Sequence, residues 1–338
     1  MMKLKPALIM VLFLAASSIL PEAQAQPKVN YEKIRTLSGY EGDVLSLAIS
    51  PDAKYLATGM SNNNVLVWDM ANWRIIATLA ENDGDVNAVA FSPDGKLLAS
   101  GHVDKKAYLW DTTTWKRTTK IMAEKTVNAL AFSQNGNVLA IASDDDGMLW
   151  DVKKNKLFKT LKGHDRDIRA IAYSPDGTRV ATGSNDNTVI LWDAASGDNM
   201  KTLSGHQNNV NAVVFSGDGK YLLSGSNDNS LSIWDAKTGN LIGGLAGHAN
   251  GICTVSFLPN SHTAISGDCM AFSGPFGIPV RTTDSSCKFI FWDVESAKKI
   301  RTIESDCGLS CTAFSPDGKY FVAGFAKGDR FISVYERK

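Results

Sequence analysis

HQNNVNAVVFSGDGKYLLSGSNDNSLSIWD, residues 206–235, decides the fold. Its first apolar run, 210–215, ends in Ser216-Gly217-Asp218-Gly219, and Asp-Gly between two β-prone runs is a hairpin signal. A second run, 221–226, is followed by the polar turn Asn227-Asp228-Asn229 and by a third run that ends in Trp234. A fourth short run, 241–245, leads into Gly247-His248. The segment therefore reads as four strands joined by tight turns, and no window carries a sustained helical period.

The same grammar fills the chain. Trp-Asp pairs close successive units at Trp68, Trp110, Trp150, Trp192, Trp234 and Trp292, at intervals of 42, 40, 42, 42 and 58 residues. Val334-Tyr335-Glu336 ends a degenerate last copy, and the Phe-Ser-Pro-Asp-Gly turn or a relative recurs at 91–95, 173–177, 215–219 and 314–318. A four-stranded sheet with two apolar faces is unstable alone. Stacking such sheets around an axis buries both faces and leaves only short edges. The seventh unit, 309–337, supplies only three strands, while 31–37 reads as a lone strand ahead of the first unit. Ile34-Arg35-Thr36-Leu37 resembles the fourth strand around 299–303, which predicts that the N-terminal strand completes the last sheet.

From about residue 28 to residue 338 the chain resembles the WD-repeat family, whose fold is an all-β propeller, here a seven-bladed β-propeller of four-stranded antiparallel sheets. The resemblance implies a structural tetrad in each regular blade: a His before the first strand, a Ser or Thr in the second, an Asp in the next turn and the Trp of the third. Blade four matches at His164, Thr182, Asp186 and Trp192, and blade five at His206, Ser224, Asp228 and Trp234. Other blades depart. Blade two keeps Ser100, Asp104 and Trp110 but has Asn82 in the His place; blade one has Thr58 and Trp68 with Tyr40 and Asn62 as replacements. Blade three has Ile141 at the hydroxyl position and no His, and in blade six Asp284 sits behind a longer turn. A buried indole, hydroxyl and imidazole each need a partner, so a closed chain of bonds serves cohesion.

The 35 basic and 35 acidic residues balance, which removes the broad positive field of a nucleic-acid binder. Lys3 and Lys5, an apolar run from Ala7 to Leu20, Pro21 and Ala23-Gln24-Ala25 read as a signal peptide, 1–25, cleaved to leave a single domain, 26–338. An uncleaved anchor is the alternative, and the run is short for a bilayer span. Export makes disulfides possible among five Cys, with Cys269 and Cys287 able to staple one loop and Cys307 an alternative partner for either.

The sequence predicts no catalytic, cofactor or metal site. Of five His, only His102 and His262 lie outside the tetrad position, in different blades, too few for a zinc set. Asp144-Asp145-Asp146 lacks calcium-loop spacing, and no phosphate loop or nucleophile elbow is present. Trp73 and Trp115, five residues after their blade Trp, read either as an exposed rim pair or as covers for adjacent strands. The reading is a secreted, periplasmic or extracellular, monomeric ring that binds a protein partner through its loop-bearing face, with no membrane insertion after cleavage. Candidate contacts are Tyr40, Asp43, Asn87, Asn128, Arg166, Arg169 and Asn211. The Asn residues serve equally well as bonds to neighbouring backbone. Blade six carries 16 extra residues near 269–283, with Phe272 and Phe276, the expected specificity element or a plug for the channel. The competing readings are a propeller enzyme of hydrolase or lactonase type with a channel site, and a carbohydrate or small-ligand binder.

Overall fold

The computed structural model describes residues 29–80, 83–268, 287–305, 309–325 and 331–338. Among these, every regular element is a β-strand, 28 in all. They form seven four-stranded antiparallel sheets, each built from strands consecutive in sequence except one. In that sheet the order is Tyr31–Leu37, Ile332–Arg337, Tyr320–Phe325, Leu309–Phe314, so the first strand among the described residues is the outermost strand of the last blade. Its register runs from Tyr31 opposite Arg337 to Leu37 opposite Ile332.

The core is divided among seven apolar clusters, one at each blade–blade interface. Leu191 and Leu203 of blade four meet Val210, Leu222 and Trp234 of blade five, for example. The ring closes because Val322, Ile332 and Val334 of blade seven pack on Val44, Leu56 and Trp68 of blade one. Burial of apolar area is worth roughly 25 cal/mol per Å², so each interface both stabilises and orients its two sheets.

One close approach sets the spacing. The second strand of blade four carries Gly183, where a Cβ would lie 2.7 Å from Val210 Cγ1, the first inner-strand residue of blade five. The glycine is what lets that residue reach the neighbouring sheet. Blade three has Ala142 in this place.

Trp73 and Trp115 are half-buried. Trp115 packs edge-on against Tyr55 of blade one at 5.2 Å, and Trp73 against Tyr320 of blade seven at 5.5 Å. Each covers the preceding blade, on the side of the disc opposite the blade-joining loops.

Candidate functional site

In blade four, Trp192 Nε1 donates to Thr182 Oγ1 at 2.8 Å, and Thr182 Oγ1 lies 2.7 Å from His164 Nε2. His164 Nδ1 lies 2.7 Å from Asp186 Oδ2. Thr182 has one proton to give, and its oxygen already accepts from the indole. The Asp186 carboxylate can only accept, so Nδ1 carries the ring proton and donates to it; in the neutral ring Nε2 is then the acceptor, and the hydroxyl donates to it. Burial lowers the His164 pKa, consistent with that neutral ring. Burial also works to raise the Asp186 carboxyl, but bonds from Thr188 and His164 overcome it and hold the group below its ordinary range.

Blade five repeats the chain, with Trp234 to Ser224 at 2.8 Å, Ser224 to His206 at 2.8 Å and His206 to Asp228 at 2.9 Å. The hydroxyl–imidazole–carboxylate order resembles a hydrolase triad. Here Thr182 and Ser224 are wholly buried and each receives an indole N–H, so neither oxygen has a face from which to attack a substrate.

The irregular blades solve the same problem differently. In blade two His102, two residues after Ser100 on the same strand, turns its Nε2 to Ser100 Oγ at 2.8 Å and replaces the missing loop imidazole; Asn82 lies outside the described residues. In blade six His248 and Trp292 both bond Ser266, at 2.6 and 2.7 Å. The carboxylate beside His248 is Asp268, at 3.2 Å, on the strand itself. The two groups are close enough but not aligned for a hydrogen bond, and among the described residues neither His248 Nδ1 nor Asp268 Oδ2, both buried, has a hydrogen-bond partner. Asp284 lies outside the described residues. In blade one Trp68 bonds Thr58 at 3.2 Å, and Tyr40 packs edge-on against that indole at 5.7 Å. Burial pushes the Tyr40 hydroxyl upward in pKa, and it has no partner among the described residues. Blade three makes no tetrad at all: the Trp150 indole N–H is buried and has no partner among the described residues.

A second polar pattern runs along the inner strands. Each carries a β-bulge at its second residue, at Asn87, Asn128, Arg169 and Asn211 in blades two to five. A bulge re-aims the side chain. Asn87 Nδ2 donates to Val127 O at 3.2 Å, Asn128 Nδ2 to Ile168 O at 2.9 Å and Asn211 Nδ2 to Ile252 O at 2.9 Å, each reaching the next blade. In blade seven Ser310 Oγ reaches Val44 O of blade one at 2.6 Å. Blades one and six have Leu45 and Cys253 at the bulge, and in blade four Arg169 is exposed.

Of the candidate contacts, Arg166 and Arg169 stand exposed at the head of blade four, Asp43 and Tyr40 are half-buried, and Phe272 and Phe276 lie outside the described residues. Arg166 belongs to a recess of about 330 Å³ on the loop face, shared with Asp144, Asp145, Asp165, Asp167, Asn185 and Asn209. The Asp144 carboxylate is paired with Lys125, while its proximity raises the Asp167 pKa. No cluster of three metal-binding side chains occurs among the described residues. Cys253 is disulfide-bonded, whereas Cys287 is a free, buried thiol, which corrects the expected Cys269–Cys287 staple. Cys269 and Cys307 lie outside the described residues.

His262 shows a further use of histidine. It bridges Asp218 Oδ2 at 2.7 Å and Glu295 Oε1 at 2.9 Å, clamping blade five to blade six on the side opposite the blade-joining loops. No repeat position announced it.

The family model "WD domain, G-beta repeat" matches seven times, over residues 31–69, 73–111, 115–151, 155–193, 197–235, 239–272 and 297–336. A guanine nucleotide-binding protein subunit beta of Schizosaccharomyces pombe is 40% identical over 63 residues, 19% of this chain and 21% of that protein. A WD repeat-containing protein of Synechocystis is 31% identical over 169 residues, 50% of this chain and 36% of its own length. Autophagy-related protein 16 of Arabidopsis thaliana is 28% identical over 156 residues, 46% of this chain and 31% of its own length. The alignments thus span about a third or less of the curated relatives' lengths. With seven matched repeats in seven closed blades, the chain belongs to the WD-repeat family.

Proposed function

We propose that this protein is an exported scaffold that binds a protein partner through its loop-bearing face. WD-repeat propellers generally serve as interaction scaffolds, and the finer reading rests on one observation. The tetrads and the inner-strand amides are used up inside the ring, and Arg169 stands exposed at the bulge where Asn87, Asn128 and Asn211 turn inward to the next blade, with Arg166 exposed in the loop beside it. Arg is enriched at interface hot spots because its planar fork recognises carboxylates with fixed geometry. The partner therefore presents an acidic group to Arg169, which lies outside the aspartate-lined recess around Arg166. The insertion near 269–283, read from the sequence and outside the described residues, supplies the specific contact. The basic and apolar N-terminal segment supports export to an envelope or extracellular site, where the ring works as a monomer.

A photo-crosslinking amino acid at position 169, compared with one at the exposed outer-strand position 200, tests the surface in native cells. Adducts are expected from 169, lost on Arg166→Ala or on deletion of 269–283, with the melting temperature unchanged. Equal labelling from both positions overturns the reading. Mass spectrometry of the mature N-terminus tests export, with Gln26 expected first.

A further inference from the structure

Blade three lacks its tetrad, and the lack leaves a cavity. In blades four, five and six a glycine before the tetrad His lies against the closing Trp. A Cβ there would come within 3.2 Å of Trp192 at Gly163, 3.3 Å of Trp234 at Gly205 and 3.1 Å of Trp292 at Gly247. The Gly-His step thus seals the indole edge. Blade three has Met122 and Ala123 at this step; Met122 is 59% exposed. Trp68, Trp110, Trp192, Trp234 and Trp292 are each at most 3% exposed, whereas Trp150 is only half-buried.

The cavity measures about 240 Å³ and lies between the loop after Met122 and the outer strands of blade three. Trp150, Met122, Met148 and Leu157 form its apolar wall. Glu124, Asp144, Asp145 and Asp146 also line it, opposed by Lys125 and Lys162 alone, which leaves two carboxylates in excess. Lys125 pairs with Asp144, and Lys162 reaches Asp146 at 3.5 Å. Asp145 is 3.9 Å from Lys125 with its side chain 51% exposed, and Glu124 is exposed too.

These surroundings select a charge type. An anion meets net repulsion, and a neutral apolar group leaves the carboxylates unused. A cation on an aliphatic stem satisfies both, with methylenes against Met and Leu and its charge near the indole and the acidic rim. Such contacts are strongest with Trp and gain from partial desolvation. The volume is below the roughly 300 Å³ at which drug-sized ligand pockets begin, so it suits a group the size of one side chain. We propose that this pocket binds an organic ammonium or guanidinium group, either on a small free molecule or as a Lys or Arg side chain of a peptide. It shares Asp144 and Asp145 with the Arg166 recess, but its apolar wall of Met122, Met148, Trp150 and Leu157 is its own, and its test does not depend on the loop-face partner.

The test follows the indole N–H signals of the folded protein by NMR, with agmatine, an Arg-containing peptide and butyrate as probes. The Trp150 signal is expected to shift saturably with a cation and not with butyrate. Saturation by agmatine assigns a small-molecule site, and saturation by the peptide alone assigns a side-chain site. Replacing both exposed carboxylates, Glu124→Gln with Asp145→Asn, is expected to weaken binding at least fivefold without altering the fold. The pair Ala123→His with Ile141→Ser, which introduces the blade-five hydroxyl and imidazole beside Trp150, is expected to cover the indole, fill the cavity and abolish binding. No response to either cation, or a response indifferent to the carboxylate replacements, overturns the proposal; those replacements decide even where the filling pair fails to fold.

Discussion

The Tyr31 hydroxyl donates to the Gly318 carbonyl at 2.5 Å, across 287 residues of sequence. The tyrosine is 1% exposed, and its ring stacks on Phe291 of blade six at 5.8 Å. One side chain thus ties the N-terminal strand to the first hairpin of blade seven and to the neighbouring blade.

Tyr31→Ala removes a buried aromatic at the seam and is expected to cost about 3–5 kcal/mol. Tyr31→Phe removes only the bond to Gly318 and is expected to cost about 1–2 kcal/mol. Urea unfolding of both variants checks the order; equal losses would mean that the ring contributes nothing beyond its hydroxyl.

Thr182→Val keeps the volume of blade four but leaves the Trp192 N–H and His164 Nε2 without partners. Each orphaned buried group costs about 1–3 kcal/mol, so a loss of about 2–5 kcal/mol is expected. Thr182→Ser keeps the hydroxyl and is expected to retain most of the stability. Denaturant melts compare the two.

Hydrogen exchange should rank the blades. Blades four and five hold complete polar chains, while blade three has an orphaned indole and a cavity beside it. Local opening follows local packing, so the inner strands Ile168–Tyr173 and Val210–Phe215 are expected to be more protected than Val127–Phe132. Mass-spectrometric exchange reads this directly, and uniform protection would contradict it.

Gly183→Ala places a methyl 2.7 Å from Val210 Cγ1 and 3.0 Å from Val213 Cγ1. Neither valine is at the end of a long flexible chain, so the blades must part. Overpacking of this kind costs about 1–3 kcal/mol, measurable as a lowered unfolding midpoint.

Asp218 makes an acid-side prediction. Partial burial acts to raise its pKa, but bonds from Ser216, the Lys220 amide and His262 outweigh that and hold it at about 2, against an ordinary 3.8. The unfolded chain therefore takes up the proton first as pH falls. The stabilisation is full above about pH 4 and is lost as pH falls toward 2. Carboxyl NMR titration should find the low midpoint, and His262→Gln should raise it.

The repeat made the ring legible because Asp-Gly turns, closing tryptophans and strand-length runs recur at fixed distances, and because blade seven lacked the strand that 31–37 could supply. The tetrads of blades four and five were equally plain, since His164 and Thr182 are separated by the same 18 residues as His206 and Ser224. Where chemistry moved to another position, spacing lost it. His102 reaches Ser100 from two residues away, and Asp268 stands on a strand rather than in a turn. The blade-five to blade-six clamp of His262 joins residues 44 apart in two repeats, a pairing that only the curvature of the ring creates. The cavity of blade three was visible only as missing letters, Met122-Ala123 for Gly-His and Ile141 for a hydroxyl; how far the indole would be uncovered depended on packing.

The placement of Tyr31–Leu37 against Ile332–Arg337 also orders events in time. A polypeptide made from its N-terminus produces that strand first and seats it last, after nearly all the rest has emerged. Every prematurely terminated product keeps an unpaired strand edge and a bare aromatic surface, the marks by which proteases and chaperones recognise unfinished chains. The seam therefore cannot form before the last blade has been made.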